Sequence, residues 1–225
     1  FNGFLTSELL EASIDENVKK FFYFSTAHVY NSPLNGFINE DTKTLNKHPY
    51  ALSNLCGENF VINATLKKRI NGIILRISNT FGSPMHKNVN CWMLVVNDLC
   101  KQIVKNNKII LNSSGKQYRD FISISDLCDK LNILIGEKTI IDSQKIFNMG
   151  SGNSITIIEM AKIIKDRYKA CYGLDAKIIL PIGEDNKQYS EIKYTSKYSK
   201  INNMIKPTSY NDEIDELLSF CLAKF

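Results

Sequence analysis

The chain has 225 residues, 44% of them apolar, and its 28 Lys and Arg against 23 Asp and Glu leave a net charge of +5. That apolar content is enough for a substantial core and excludes disordered, collagenous and coiled-coil chains. The charge excess is mild, only four of the cations are Arg (Arg69, Arg76, Arg119 and Arg167), and the lysines form no dense run, so no nucleic-acid partner is expected.

Helical and strand patterns alternate along the chain, which predicts a parallel sheet with helices packed on it. Leu5, Leu9, Leu10 and Ile14 predict a helix over residues 5–18. The aromatic run 21–24, ending at Ser25-Thr26, is too short for a helix and suits a buried strand. Residues 27–48, rich in Asn, Pro, Gly and Asp, read as a long loop. Pro49 is tolerated in a first helical turn, and a helix is predicted from there to Arg69. The β-branched run 73–78 reads as the next central strand, and residues 79–90 as loop.

Beyond it the pattern predicts a helix over 91–105, a strand over 108–111, a turn at 112–115, and a helix through Leu127, Leu131 and Leu134 with Ser125 as its N-cap. A strand over 145–149 closes on Gly150-Ser151-Gly152. Thr156 with Glu159 makes a capping box for a helix to about residue 172. A strand over 177–180, a polar loop over 183–190 and a helix from residue 211 complete the reading. No internal repeat or low-complexity segment is visible.

The cysteines at 56, 91, 100, 128, 171 and 221 lack Cys-x-x-Cys spacing and lie in apolar segments, so they read as reduced core residues. With His only at 28, 48 and 86 and no Cys/His cluster, no metal site is expected. No apolar run reaches the roughly 18 residues of a membrane helix, and no export signal opens the chain. A cytoplasmic protein without a membrane partner is the expectation.

Three segments fall at the C-terminal ends of strands, the edge at which open α/β sheets hold ligands: residues 24–30, 48–54 and 75–82. A hydroxyl at a strand end (Thr26) and a tyrosine in the first turn of the next helix (Tyr50) can converge on one substrate oxygen and move a proton. A phenol of pKa about 10 is a poor base at neutral pH, so such a tyrosine needs a nearby cation. One helical turn on, where that charge would sit, stands Asn54.

Taken together, these segments resemble the NAD(P)-dependent epimerase/dehydratase family, the extended short-chain dehydrogenase/reductases. Ser25-Thr26-Ala27-His28-Val29-Tyr30 is similar to its Ser-Ser/Thr-x-x-Val-Tyr-Gly segment, with Asn31 for Gly, and Tyr50-x-x-x-Asn54 to its Tyr-x-x-x-Lys. Arg76 to Gly82 resembles Arg-x-x-Asn-x-Tyr-Gly, with Phe81 for Tyr, and Arg119 to Asp126 resembles Arg-Asp-Phe-Ile-x-Val-x-Asp. Phe147 to Gly152 resembles Tyr-Asn-Val-Gly-Ser-Gly, and Ser196-Lys197 stands where the family has Asp-x-Ser-Lys.

The resemblance implies a partial doubly wound, Rossmann-type parallel sheet with a small C-terminal α/β substrate-binding part. Residues 1–82 would belong to the dinucleotide-binding domain and carry the tyrosine helix. Residues 83–225 would be mainly substrate-binding, with about 108–150 returning in part to the main sheet. It further implies Tyr50 and Thr26 as catalytic residues, Tyr50, Asn54 and Ile77 against an NAD or NADP cofactor, and Asn79 and Arg119 on the diphosphate of a nucleotide sugar. Ala27 and His28 stand where the 4,6-dehydratases carry an acidic pair, which leaves epimerisation or carbonyl reduction. A homodimer is implied by analogy.

Two departures qualify this. A doubly wound dinucleotide fold starts with a βαβαβ half bearing a glycine-rich phosphate turn, absent here, so roughly 80 or more residues are expected before Phe1 and NAD binding by this chain alone is not expected. Asn54 supplies no ammonium charge, which keeps open a non-catalytic family member that binds sugar nucleotides, and a broken gene product stays a further reading. The aromatic strand would also be left at an open edge, which invites pairing with another chain. Sedimentation of the 225-residue chain is therefore expected to show self-association; a dilute monomer with cooperative melting would contradict it.

Overall fold

The computed structural model describes residues 2–136, 145–183, 187–198 and 209–225. Helix α1 (Asn2–Asp15) leads to strand β1 (Lys20–Thr26), a 3₁₀ turn at Ala27–Val29 and β2 (Gly36–Ile38). Helix α2 (Pro49–Leu66), β3 (Asn71–Ile77), β4 (Asn79–Phe81), α3 (Val95–Asn106) and β5 (Lys108–Ile110) follow. Next come β6 (Tyr118–Ser123), α4 (Ile124–Gly136), β7 (Ile146–Met149), β8 (Ser154–Thr156) and α5 (Ile157–Tyr172). Strands β9 (Lys177–Ile179) and β10 (Ile192–Tyr194) and helix α6 (Tyr210–Lys224) end the order.

The main sheet is parallel, in the order β1-β3-β7. Its strands finish level: Thr26 pairs with Ile77, and Ile77 with Met149. Because side chains alternate across a strand, β3 feeds two cores. Ile74 packs with Leu10, Phe21, Tyr23, Val61 and Ala64 beneath α1 and α2. Ile73 and Leu75 pack with Leu127, Leu134 and Phe147 beneath α4. With helices on both faces, the fold is doubly wound α/β, as expected. All three β3 residues are 0% exposed, which is worth about 1.5–3 kcal/mol each.

A second layer sits beside it. Strand β6 pairs in parallel with β4 and antiparallel with β8, and β5 pairs in parallel with β9. Helices α3, α5 and α6 enclose its core of Leu99, Ile103, Phe121, Ile164 and Leu217. Finally, β2 and β10 pair in parallel over a cluster built on Tyr30 and Tyr194.

Several expectations are corrected. The loops drawn over 27–48 and 79–90 contain β2 and β4, and β6, β8 and β10 went unpredicted; three-residue strands carry too little alternation to read, and the six residues of β6 include adjacent Arg119 and Asp120 in place of an apolar run. The first helix occupies 2–15, since Asn17 turns left-handed at φ 56° just past its end, and the predicted helix over 91–105 starts at Val95 with Leu94 as its cap. Ser125 lies inside α4; the oxygen that caps it belongs to Ser123, whose Oγ accepts from the Asp126 N–H at 3.0 Å. All six cysteines are free, but Cys56, Cys128 and Cys171 are exposed on helix surfaces, and only Cys100 and Cys221 are buried. The capping box stands as predicted, with Thr156 and Glu159 exchanging bonds. Part of the polar loop over 183–190 lies outside the described residues.

Gly57 shows why one helix position carries no side chain. A Cβ there would lie 2.3 Å from the Tyr23 Oη, in a ring that is 9% exposed and cannot swing out. Gly57→Ala in a helix interior ordinarily gains about 1 kcal/mol; here overpacking of about 1–3 kcal/mol outweighs it. Chemical denaturation is expected to show a lower midpoint for Gly57→Ala, and a higher one would refute the contact.

Candidate active site

Thr26 is the last residue of β1, and its Oγ1 accepts from the His28 N–H at 3.2 Å, turning the chain into the 3₁₀ turn. Tyr50 stands in the first turn of α2. His48 caps that helix, its Nδ1 accepting from the Tyr50 N–H at 3.2 Å, with Pro49 at the first position. The Tyr50 side chain is about half exposed. Ile77 ends β3, Asn79 opens β4, and Arg119 comes from β6.

These separate elements meet. Thr26, His28, Tyr50, Ile77, Asn79 and Arg119 line one cleft of about 550 Å³ at the C-terminal edge of the main sheet. Met93 and Leu94, ahead of α3, close its far side, a contribution sequence reading missed because no motif marks them. Asn54 is the predicted residue that does not join. It is buried, its Nδ2 donates to the Tyr50 carbonyl at 2.8 Å, and it lines instead, beside Tyr50, a neighbouring groove of about 430 Å³ between α1 and β1.

Arg119 differs from the other arginines. Arg69, Arg76 and Arg167 are paired with Glu11, Glu58 and Asp215, whereas among the described residues Arg119 reaches no carboxylate and donates to the Tyr118 carbonyl at 3.0 Å. Burial pushes its pKa below the ordinary value. Its neighbour Asp120, 1% exposed, accepts instead from Ser78 Oγ (2.6 Å), the Ser151 N–H (2.9 Å) and the Gly152 N–H (2.8 Å). The Gly150-Ser151-Gly152 turn therefore already holds an anion from its own chain. Asn79 spends its Nδ2 on the Asp120 carbonyl at 2.9 Å and keeps its own carbonyl as an acceptor.

A larger depression, about 610 Å³, lies between Lys116 and Gln117 on one side and Pro181 and Tyr189 on the other. The sequence marked these only as turn and loop. Among the described residues there is no cluster of His, Cys, Asp and Glu able to hold a metal, and no helix is long and apolar enough to cross a membrane.

Known proteins share the fold and part of the sequence. The family model described as the NAD dependent epimerase/dehydratase family matches residues 2–150, and the chain belongs to that family. It is 27% identical over 168 residues to an ADP-L-glycero-D-manno-heptose-6-epimerase of Brachyspira hyodysenteriae, covering 73% of this chain and 51% of that protein. It is 23% identical over 203 residues to the dTDP-D-glucose 4,6-dehydratase of Mus musculus, covering 90% and 55%. The chain thus spans about half the length of the curated relatives it matches. The fold superposes on a UDP-glucuronic acid 4-epimerase from Bacillus cereus solved in complex with NAD, with a TM-score of 0.78 at 22% identity, covering 100% of this chain and 66% of that one.

His28 gives the cleft a measurable pH response. Burial first, then the charges of Arg119 and His48, push its pKa below the ordinary 6.5. A lowered folded-state pKa means the unfolded chain takes up the proton first, so stability falls as pH drops through 6.5 toward the folded-state value. Denaturation midpoints at about pH 7.5 and 5.5 should differ less in His28→Gln than in the parent chain; an equal difference would show that His28 is not the group responsible.

Proposed function

We propose that this chain forms the sugar-handling part of an NAD(P)-dependent nucleotide-sugar epimerase or 4-keto reductase. The observation that carries the reading is the convergence of Thr26, Tyr50, Asn79 and Arg119, from β1, α2, β4 and β6, on one cleft whose only Lys or Arg among the described residues is Arg119, which pairs with no described carboxylate. An unpaired, partly buried guanidinium is an anion site in waiting, and its forked donors suit a diphosphate. Thr26 would hold a sugar hydroxyl or carbonyl, Tyr50 would pass the proton at that oxygen, and Asn79 would position the diphosphate. The nucleoside end is assigned to the depression at Lys116 and Gln117, three and two residues before Arg119 in sequence.

The cleft fits the nicotinamide end of a cofactor: Phe24 and Ile77 offer apolar walls beside the hydroxyls of Thr26 and Tyr50. When bound, the nicotinamide would accept or supply the hydride. The glycine turn at 150–152, filled by Asp120, is not suited to hold its phosphates. Residues 1–82 are the dinucleotide-binding part in this reading and 83–225 mainly the substrate-binding part. Ala27 and His28 provide no acidic pair, so dehydration is not proposed. A homodimer acting in the cytoplasm completes the proposal.

A second reading is favoured by Asn54. Its amide is spent on the Tyr50 carbonyl and brings no charge, so the chain could bind sugar nucleotides without redox chemistry. Titration calorimetry with UDP-glucose, dTDP-glucose and ADP-glucose tests the shared part: at least one binds, and Arg119→Ala weakens it roughly ten- to a hundredfold. Unchanged affinity would remove Arg119 from the site. Turnover, measured with a glycine-rich dinucleotide-binding half from a relative supplied to this chain, separates the readings: a gain in Asn54→Lys favours a catalytic cleft short of a cation, and none in either protein favours the binder.

A further inference from the structure

Outside the cleft, one buried carboxylate ties its walls together. Glu58 lies on α2 two turns beyond Tyr50 and is 1% exposed. Its Oε1 accepts from Ser25 Oγ at 2.5 Å and from Arg76 Nε at 3.0 Å, and its Oε2 accepts from the second arm of Arg76 at 2.6 Å. Ser25 and Arg76 are themselves 6% and 5% exposed. Ser25 immediately precedes Thr26 on β1, and Arg76 immediately precedes Ile77 on β3. One carboxylate thus joins the three elements that bring Tyr50, Thr26 and Ile77 to the cleft, one residue behind two of them.

We infer that Glu58 is a positioning residue, which sets Thr26 against Tyr50 by fixing β1 and β3 to the tyrosine helix. This rests on the function proposed above. Stability alone does not explain the group, because a buried ion pair is often no more stabilising than apolar residues of the same volume. What it adds is direction: three hydrogen bonds of defined geometry cannot be kept if α2 slides along the sheet, whereas apolar packing tolerates such a shift. On this view Glu58 acts on the sugar through Thr26 and Tyr50, and leaves the diphosphate contact at Arg119 untouched.

The test compares a nucleotide sugar with its own nucleoside diphosphate. Calorimetry on the 225-residue chain uses UDP-glucose against UDP, and likewise the dTDP and ADP pairs. The parent chain is expected to bind one sugar form about tenfold more tightly than the matching diphosphate, since the sugar adds hydrogen bonds at Thr26 and Tyr50. Glu58→Gln should abolish that ratio while leaving diphosphate affinity unchanged. It leaves Arg76 buried without its counter-ion, so Ser25→Ala, which cuts a single arm and keeps the ion pair, serves if Glu58→Gln does not fold. Rescue of the ratio by Ser25→Thr, with melting temperatures of parent and Ser25→Ala alike, would support positioning. An unchanged ratio in Ser25→Ala, or equal losses of sugar and diphosphate affinity, would overturn it. If the parent chain binds none of the three sugars, the functional reading itself falls and this inference with it.

Discussion

The Thr26, Tyr50 and Ile77 side of the cleft is backed by the buried ion pair between Glu58 and Arg76. Placing two charges where their side chains are 2% and 6% exposed is costly in desolvation. The arrangement offsets that with a two-armed guanidinium–carboxylate contact and the Ser25 hydroxyl on the remaining carboxylate position. Burial alone would lower the Arg76 pKa; hydrogen bonding and attraction from Glu58 outweigh it and raise it. The Tyr30 ring lies under the guanidinium at 4.8 Å, and the Tyr194 hydroxyl donates to the Arg76 carbonyl at 2.7 Å. The network runs on from Tyr30 Oη to Asn148 Oδ1 and from the Asn148 N–H to Glu40, which also receives Ser196 Oγ and the Lys197 N–H. A polar spine thus connects α2 to the β2/β10 pair across the end of the main sheet.

The spine explains how two layers with separate apolar cores present one surface. The cores beneath α1 and α2, beneath α4, and among α3, α5 and α6 share few side chains, so apolar packing by itself would leave their relative placement loose. Directional bonds supply the missing definition at the seam. Ser78 Oγ and Asn79 Nδ2, on the β3–β4 stretch, both bond to Asp120 on β6. Asp120 in turn fixes the turn after β7 through the Ser151 and Gly152 N–H groups. The site edge of the sheet is therefore held by carboxylates at residues 58, 120 and 40, each bonding to groups on more than one element.

What the sequence made legible divides along the same physical line. Elements decided by local chemistry were readable: the Thr156/Glu159 capping box, Pro49 at the start of α2, the aromatic β1 and the β-branched β3. The family segments also led to Thr26, Tyr50, Ile77, Asn79 and Arg119, which do line one cleft. Elements decided by distant partners were not. Strands β2 and β10 are three residues each and pair across more than 150 positions of chain, so neither contains the signal for the other. Arg119 and Asp120 look like an ion pair in sequence, but neighbours on a strand point to opposite faces; one lines the cleft and the other anchors the turn at residue 151. Glu58 had no motif of its own, because its importance lies in what comes to meet it.

The charge of the cleft bears on how the proposed proton transfer at Tyr50 is supported. Proton abstraction by a tyrosine starts from a phenolate and proton donation leaves one, so a nearby cation eases both directions. At residue 54 the helix offers an amide already donating to the Tyr50 carbonyl. Among the described residues Arg119 is the one Lys or Arg lining the cleft, and a diphosphate carrying two negative charges would more than neutralise it. The lowered pKa of His28 keeps that imidazole from adding a charge near neutral pH. A cleft so filled leaves the Tyr50 phenolate without a protein cation in either direction, so in the proposed function that charge would come from the oxidised nicotinamide.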